Sequence, residues 1–140
     1  MQKDTSKMLE ELKNCTDFSR FYNENREYTV KAALSEYLEA LLEKYKVKKA
    51  DVIRKSELSE VYAYQIFSGV RVPERKKLLC LTIAMGINLD EVQTVLKCCG
   101  YAQLYVKNPF DCIVIYGICK NMSVQQINYL LYDYEMETLG

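Results

Sequence analysis

The sequence contains no histidine and no tryptophan, and it has only five glycines and two prolines among 140 residues. The absence of histidine removes the commonest general base and a common zinc ligand. The scarcity of glycine and proline favours long helices over many short strands. No apolar run approaches the ~20 residues that span a bilayer. The charged first residues lack the apolar stretch of a signal peptide, so we expect a cytoplasmic protein without a membrane segment.

The six cysteines do not form a recognisable metal or redox motif, since no C-x-x-C pair occurs. Cys80, Cys112 and Cys119 are predicted to be reduced, buried thiols. The adjacent pair Cys98-Cys99 could form a redox switch, but neighbours in a helix point about 100° apart, which argues against it. No catalytic triad, glycine-rich phosphate loop or pair of catalytic carboxylates is recognisable. The sequence therefore predicts a protein that is not an enzyme and has no catalytic residues, metal site or cofactor.

Charge is distributed unevenly, although 19 basic and 19 acidic residues give a net charge of zero. Residues 1–43 carry six Lys or Arg and nine Asp or Glu, and residues 78–140 carry three and six, so each end has a net charge of −3. Residues 44–77 carry ten and four, a net charge of +6. Such a basic block is either a solvated face or a surface for an anionic partner.

Apolar residues recur at three- and four-residue spacing along most of the chain, which predicts an all-α fold of seven to nine helices. Near the N-terminus, Met8, Leu9, Leu12 and Cys15 predict an amphipathic helix, and Asp17 is a candidate cap for the next one. The helix in "FDCIVIYGICKN" has apolar residues around almost its whole circumference. We therefore expect it to be the most buried helix.

Several helix ends are marked by capping residues. Gly69 is predicted to take the left-handed conformation that ends a helix, and Pro73 to stand where the following helix begins. Side-chain caps are predicted at Ser59, at Asn88 with Glu91, and at Ser123 with Gln126.

The order of elements in the middle of the chain is typical of a helix-turn-helix domain. A short helix, about Lys49 to Ser56, precedes a three-residue turn and a second short helix, Glu60 to about Ser68. The segment "KADVIRKSELSEVYAYQIFSGVRVPERKKLLCLTIAMGINLDEVQTVL" resembles the XRE-type, lambda-repressor-like helix-turn-helix domain. The resemblance covers about residues 34–99, and its most specific features are "QIFSGVRVP" and "RKKLLCLTIAMGINLDEV".

The resemblance implies a sequence-specific double-stranded DNA-binding protein, a transcriptional regulator whose second short helix lies in the major groove. Gln65 would pair with adenine, Glu60 would accept from cytosine, and Val61 would contact a thymine methyl group. Arg71, Arg75 and Lys76 would hold the flanking phosphates. Lys49 would also contact a phosphate, and the other implied DNA-binding residues are Ser59 and Tyr64.

Two positions depart from the pattern of the family. Glu57 stands where the turn usually has a left-handed glycine, so either Glu57 is strained or the turn is longer. Ile53 stands where the first helix usually has a small alanine. Glu60 at the start of the second helix would repel phosphates. An alternative prediction is therefore a non-catalytic protein-interaction module that keeps the helix-turn-helix fold without DNA binding.

The helix-turn-helix domain, predicted at residues 34–100, leaves a helical extension on each side, at residues 1–33 and 101–140. The C-terminal extension is predicted either to enlarge the same core or to form a homodimer. The apolar and aromatic residues of "YLLYDYEM" suit a self-complementary contact, and operator binding usually pairs two such domains.

Overall fold

The computed structural model describes residues 3–140, and over this range the chain forms nine α-helices, one short 3-10 helix and no β-strand. The predicted all-α fold is thus confirmed, and no described helix is long and apolar enough to cross a membrane. The α-helices are α1 (Thr5–Asn14), α2 (Phe18–Glu24), α3 (Val30–Tyr45), α4 (Lys49–Ser56), α5 (Glu60–Phe67), α6 (Arg75–Met85), α7 (Leu89–Cys98), α8 (Pro109–Cys119) and α9 (Val124–Asp133), and the 3-10 helix is Arg26–Tyr28.

Helix α6 lies at the centre of the core, packed against α4, α7 and α9, and seven of its eleven residues are buried. The prediction that α8 would be the most buried helix is therefore wrong. Helix α8 packs against α7 and α9 on one side and leaves Tyr116 exposed on the other. For the same reason Cys112 and Cys119 are exposed, contrary to prediction, whereas Cys80 is buried as predicted.

The predicted capping residues begin α5, α7 and α9. The Ser59 side chain accepts from the Tyr62 amide, and Ser123 forms a complete capping box with Gln126. At α7 the Asn88 side chain accepts from the Glu91 amide as predicted, but the return bond differs. The Tyr45 hydroxyl accepts from the Asn88 amide at 3.2 Å and donates to Glu91 Oε1 at 2.6 Å. A residue of α3 thereby completes the cap and ties α3 to α7.

The role predicted for Gly69 at a helix end is confirmed, whereas the role predicted for Pro73 is not. Gly69 has a φ of 82°, the left-handed conformation predicted for the residue that ends α5. Pro73, however, is not the first residue of the next helix, because α6 begins at Arg75 with Glu74 as its N-cap. The Pro73 carbonyl instead accepts a hydrogen bond from the Tyr101 hydroxyl at 2.6 Å. Pro73 thus anchors the loop between α5 and α6 to the segment after α7.

The two ends of the chain pack very differently. Helices α1 and α2 contain no buried residue, so the N-terminal arm lies on the surface of the protein. At the other end α8 and α9 pack against each other, and buried Gly117 lets Ile127 approach the backbone of α8 closely. Beyond α9, Leu139 is fully buried and its amide donates to Asn128 Oδ1 at 2.8 Å. The last residues are therefore part of the folded core.

Candidate nucleic-acid interface

A three-residue turn, Glu57-Leu58-Ser59, joins α4 to α5. Glu57 has φ 63° and ψ 11°, so it adopts the left-handed conformation and the turn is not lengthened. Buried Ser56 stabilises the turn, because its hydroxyl donates to the Ile53 carbonyl at 2.6 Å and accepts from the Leu58 amide at 3.2 Å. Leu58 packs against the core. A side-chain hydroxyl thus supplies part of the support for a turn that lacks glycine.

The inner faces of α4 and α5 are closely packed. Val52, Ala63 and Ile66 are each at most 1% exposed, and the small Ala63 side chain permits close approach of the neighbouring helices. Helix α5 also packs against α3, where the Ser35 hydroxyl donates to the Phe67 carbonyl. Two independent contacts therefore fix the direction of α5, one through α4 and one through α3.

The outer face of α5 is open to solvent at the positions that sequence analysis singled out. Val61 is 70% exposed and Tyr64 is 41% exposed. With Glu60 and Gln65 they border a shallow depression of about 580 Å³ between α5, α3 and the start of α4. In the part of the chain that the structure describes, neither terminal extension lines this depression.

Lys49 lies at the edge of this depression, in the first turn of α4. Its ammonium group forms an ion pair with Glu39 of α3 and lies 5.3 Å from the centre of the Phe67 ring. These contacts leave about a third of the side chain exposed. Lys49 is therefore positioned beside α5 but is already partly neutralised by an acidic neighbour.

Gln65 and Arg71 form one hydrogen-bonded unit at the end of α5. The Arg71 Nε donates to Gln65 Oε1 at 3.0 Å, and the Val70 and Arg71 amides both donate to the Gln65 carbonyl. The Arg71 guanidinium also lies 5.2 Å from the centre of the Tyr62 ring. The sequence predicted separate roles for Gln65 and Arg71. The half-buried Tyr62 ring packs against the core while its face supports Arg71.

Arg75 is used inside the protein. Its guanidinium donates to both carboxylate oxygens of Asp111 at 3.1 Å, to the Ala102 carbonyl at 3.0 Å and to the Gln103 carbonyl at 3.3 Å. Asp111 in turn accepts from the Tyr105 amide at 3.0 Å. The structure thus gives Arg75 a role that the sequence did not indicate, because it joins the start of α6 to the loop before α8.

Lys76 has internal partners as well. Its ammonium group pairs with Glu137 of the C-terminal segment at 2.7 Å and lies 5.3 Å from the centre of the Phe110 ring. Hydrogen bonding to Lys76, with its positive charge, lowers the pKa of Glu137. Of the four predicted phosphate-binding residues, Lys49, Arg71, Arg75 and Lys76, Arg71 alone lies beside α5 without an ion-pair partner among the described residues.

Two further cations near the start of α4 were not selected as site residues. Lys46 ends α3 in the left-handed conformation, and exposed Lys48 is the N-cap of α4. Neither forms an ion pair within residues 3–140. In the sequence both belong to the "KVKK" segment of the basic block. This segment contains no residue of the type that usually caps a helix and no base-reading pattern that would have marked them as site residues. They are the least neutralised cations on this side of α5.

Burial makes two of the six thiols, Cys80 and Cys99, weakly reactive. Burial raises the pKa of Cys80 to about 11 and that of Cys99 to about 12, with a further contribution from Cys98 at Cys99. Both therefore remain protonated and weakly nucleophilic at neutral pH. Among the described residues, no group of three or more potential metal ligands lies together.

Comparison of the chain with family models, with curated proteins and with solved structures finds no match.

Proposed function

We propose that this chain is a non-catalytic, sequence-specific double-stranded DNA-binding protein of the XRE helix-turn-helix type, acting as a transcriptional regulator in the cytoplasm. Helix α5 would lie in the major groove, and α4 would cross the phosphate backbone. The observation that carries the proposal is the two-sided character of α5. Its inner face is packed through Ala63, Ile66 and Phe67, while on its outer face Glu60, Val61 and Tyr64 are exposed and Gln65 is half-buried.

The geometry supports a specific division of roles along α5. Gln65 keeps both N–H donors of its amide and one acceptor lone pair while Arg71 holds its oxygen, so it is oriented for the bidentate contact that adenine accepts. Val61 is exposed enough to contact a thymine methyl group, and Glu60 and Tyr64 lie on the same face. Ser59 has its hydroxyl engaged at the cap, which leaves its backbone near the positive end of the helix.

Phosphate contacts would flank α5 on both sides. Lys46, Lys48 and Lys49 lie on the α4 side, and Arg71 lies beyond the end of α5. Arg71 uses its Nε for Gln65, and the four N–H donors of its two terminal nitrogens are not hydrogen-bonded within the described residues. One arginine can therefore hold the base-reading residue and grip a phosphate. This replaces the separate phosphate role given to Arg75.

The test uses duplexes selected by the protein from random DNA, with affinity measured by fluorescence anisotropy at several salt concentrations. Gln65→Ala should change preference at one defined base pair and leave nonspecific binding almost unchanged. Arg71→Ala should weaken binding to every duplex and flatten the dependence of log K on log salt by about one unit. Lys107→Ala, an exposed change in the loop before α8, is the matched control and should do neither.

Because Gln65 and Arg71 are bonded to one another, their effects should not be additive. The Gln65→Ala/Arg71→Ala double variant should lose less affinity for the selected duplex than the sum of the two single losses. Wild-type protein that selects no sequence, or binds all duplexes without any salt dependence, would contradict the proposal.

We also propose that two copies associate through the C-terminal helices. Tyr129, Tyr132 and Tyr134 are each at least 63% exposed, a density of aromatic surface that suits an isologous contact. A homodimer would present two α5 helices to successive turns of DNA. Light scattering at micromolar concentration should give twice the 16.4 kDa mass of the chain, and a single 16.4 kDa species would contradict the dimer.

A protein-interaction module is a second candidate, and one observation favours it. Carboxylates of Glu39 and Glu60 border the depression beside Val61 and Tyr64, so this surface is mixed in charge and partly apolar. Salt separates the two functions, since DNA affinity falls steeply as salt rises, whereas an aromatic contact with a protein partner hardly responds.

A further inference from the structure

An apolar cavity of about 750 Å³ lies between the N-terminal arm and the body of the protein. Its main walls come from α1, from the N-terminal half of α3 and from the end of α7, and Phe21 of α2 and Tyr28 of the 3-10 helix also line it. The volume is within the range of pockets that bind small organic molecules. The cavity is separate from α5, because it faces a different side of α3 from Ser35, which contacts α5.

Each of the three walls is a stripe along one helix face. Helix α1 contributes residues 5, 8, 9 and 12, helix α3 residues 30, 33 and 37, and helix α7 residues 94, 97 and 98. These are three- and four-residue steps, so each set lies on one side of its helix. Three helices that direct a face towards one space normally fill it with side chains, but here the space remains open.

The apolar residues of α1 indicate that side chains from residues 3–140 do not fill this space. Leu9 is 48% exposed and Leu12 is 40% exposed, although both face the body and line the cavity. An amphipathic helix usually buries its apolar stripe against the core. The stripe of α1 therefore has apolar surface left for another molecule.

The charged groups that line the cavity favour a negatively charged ligand. Lys97 lines the cavity and is exposed to solvent, and its ammonium group forms no ion pair or hydrogen bond within the described residues. Lys3 also lines it but donates to Glu11 and Asn25 and lies over the Tyr28 ring. The residues that line the cavity include no Asp or Glu. The cavity thus offers an apolar interior with one cation that lacks a partner.

We propose that this cavity binds a small amphipathic anion, a molecule with an apolar body and one carboxylate or similar acidic group. The apolar body would lie along the stripes of α1, α3 and α7, and the acidic group would pair with Lys97. This proposal does not depend on DNA binding by α5, and its test measures ligand binding directly.

The test compares decanoate with decan-1-ol, which has the same chain length and no charge. Calorimetry on the full chain gives the ratio of the two affinities. Lys97→Gln should lower the ratio of decanoate to decanol affinity about fivefold, the effect of losing one partly exposed ion pair. Lys107→Gln makes the same charge change away from the cavity and should leave the ratio unchanged.

Two variants that fill the cavity from opposite walls test where the apolar body lies. Thr94→Trp on α7 and Ala33→Leu on α3 should each weaken both ligands, and the bulkier Thr94→Trp should do so at least about tenfold. Circular dichroism establishes whether each variant is folded, and one folded variant is enough to test the position of the apolar body. The proposal is overturned if wild-type protein binds neither ligand, if Lys97→Gln keeps the wild-type ratio, or if a folded Thr94→Trp variant binds both ligands as wild type does.

Discussion

Arg75→Ala should destabilise the protein far more than its position in the basic block indicates. The side chain makes four hydrogen bonds that join the start of α6 to the loop at residues 102–103 and to Asp111 in α8. Arg75 is 25% exposed and Asp111 only 8% exposed, so the pair is largely withdrawn from water. Replacement by alanine would leave the Asp111 carboxylate buried. Among the described residues, the Tyr105 amide would be its remaining hydrogen-bond donor.

The magnitude follows from this geometry. Breaking a buried ion pair by removing one partner costs about 3–5 kcal/mol. The quarter of the Arg75 side chain that contacts water reduces the cost by screening, and the Tyr105 amide continues to stabilise the carboxylate. We therefore expect a loss of about 3 kcal/mol in the free energy of unfolding. Arg75→Lys keeps the charge but cannot bridge two carboxylate oxygens and two carbonyls, so about half of that loss should remain.

Urea unfolding followed by far-ultraviolet circular dichroism measures the effect, with Arg71→Ala as the matched control. Arg71 is exposed and has one side-chain hydrogen bond and one aromatic contact, so its removal should cost less than about 1 kcal/mol. Equal stabilities for the Arg75→Ala and Arg71→Ala variants would refute the structural role of Arg75 argued above. It would return Arg75 to the set of candidate phosphate contacts.

Three further predictions concern the packing, the turn and the thiols. Gly117→Ala should lower the free energy of unfolding by about 1–3 kcal/mol, because a Cβ there would overlap the side chain of Ile127. Urea unfolding measures the loss, and an unchanged midpoint would contradict the close approach of Ile127 to Gly117. Glu57→Gly should raise the melting temperature, because glycine adopts the left-handed conformation without the cost of about 1 kcal/mol that glutamate carries there. The greater freedom of glycine in the unfolded chain offsets part of this gain, and a lower melting temperature would contradict the prediction. A thiol reagent at pH 8 should modify the exposed Cys112 and Cys119 of the folded protein first. It should leave Cys80 and Cys99 unmodified, because burial raises the pKa of both, and mass spectrometry identifies the modified positions.

Local signals in the sequence predicted the helix ends well. Ser59 and Ser123 cap their helices because a hydroxyl at that position can reach an amide two or three residues further on, whatever the rest of the fold does. Gly69 takes the predicted left-handed conformation, and Glu57 takes it too, which was one of the two alternatives that the sequence left open for the turn. Such features depend on a few neighbouring residues, and a single sequence contains all the information that they need.

Burial was predicted less well, because it depends on how many neighbours an element has. Helix α8 is apolar on all sides, but its place near the end of the chain gives it partners on one side only. Helix α6 begins with three basic residues and is less apolar than α8, yet it packs against α4, α7 and α9 and is the more buried of the two. The exposed positions of Cys112 and Cys119 follow from the same cause. Composition alone does not distinguish a central helix from a peripheral one.

The partners of charged residues were also beyond reach from sequence, and they change what the basic block means. Of its ten cations, four form ion pairs with carboxylates from the acidic segments on either side: Lys44 with Glu91, Lys49 with Glu39, Arg75 with Asp111, and Lys76 with Glu137. The excess of positive charge in residues 44–77 is therefore largely neutralised within the fold. Because Lys48 and Arg71 flank α5 without such partners, each domain should release counterions from about two or three phosphates. The slope of log K against log salt should then be about −2 to −3 per domain, shallower than a block of +6 suggests. Weak electrostatic affinity of this size makes binding by a pair of domains more important, and a steeper slope for a single domain would show that some of these ion pairs open on DNA.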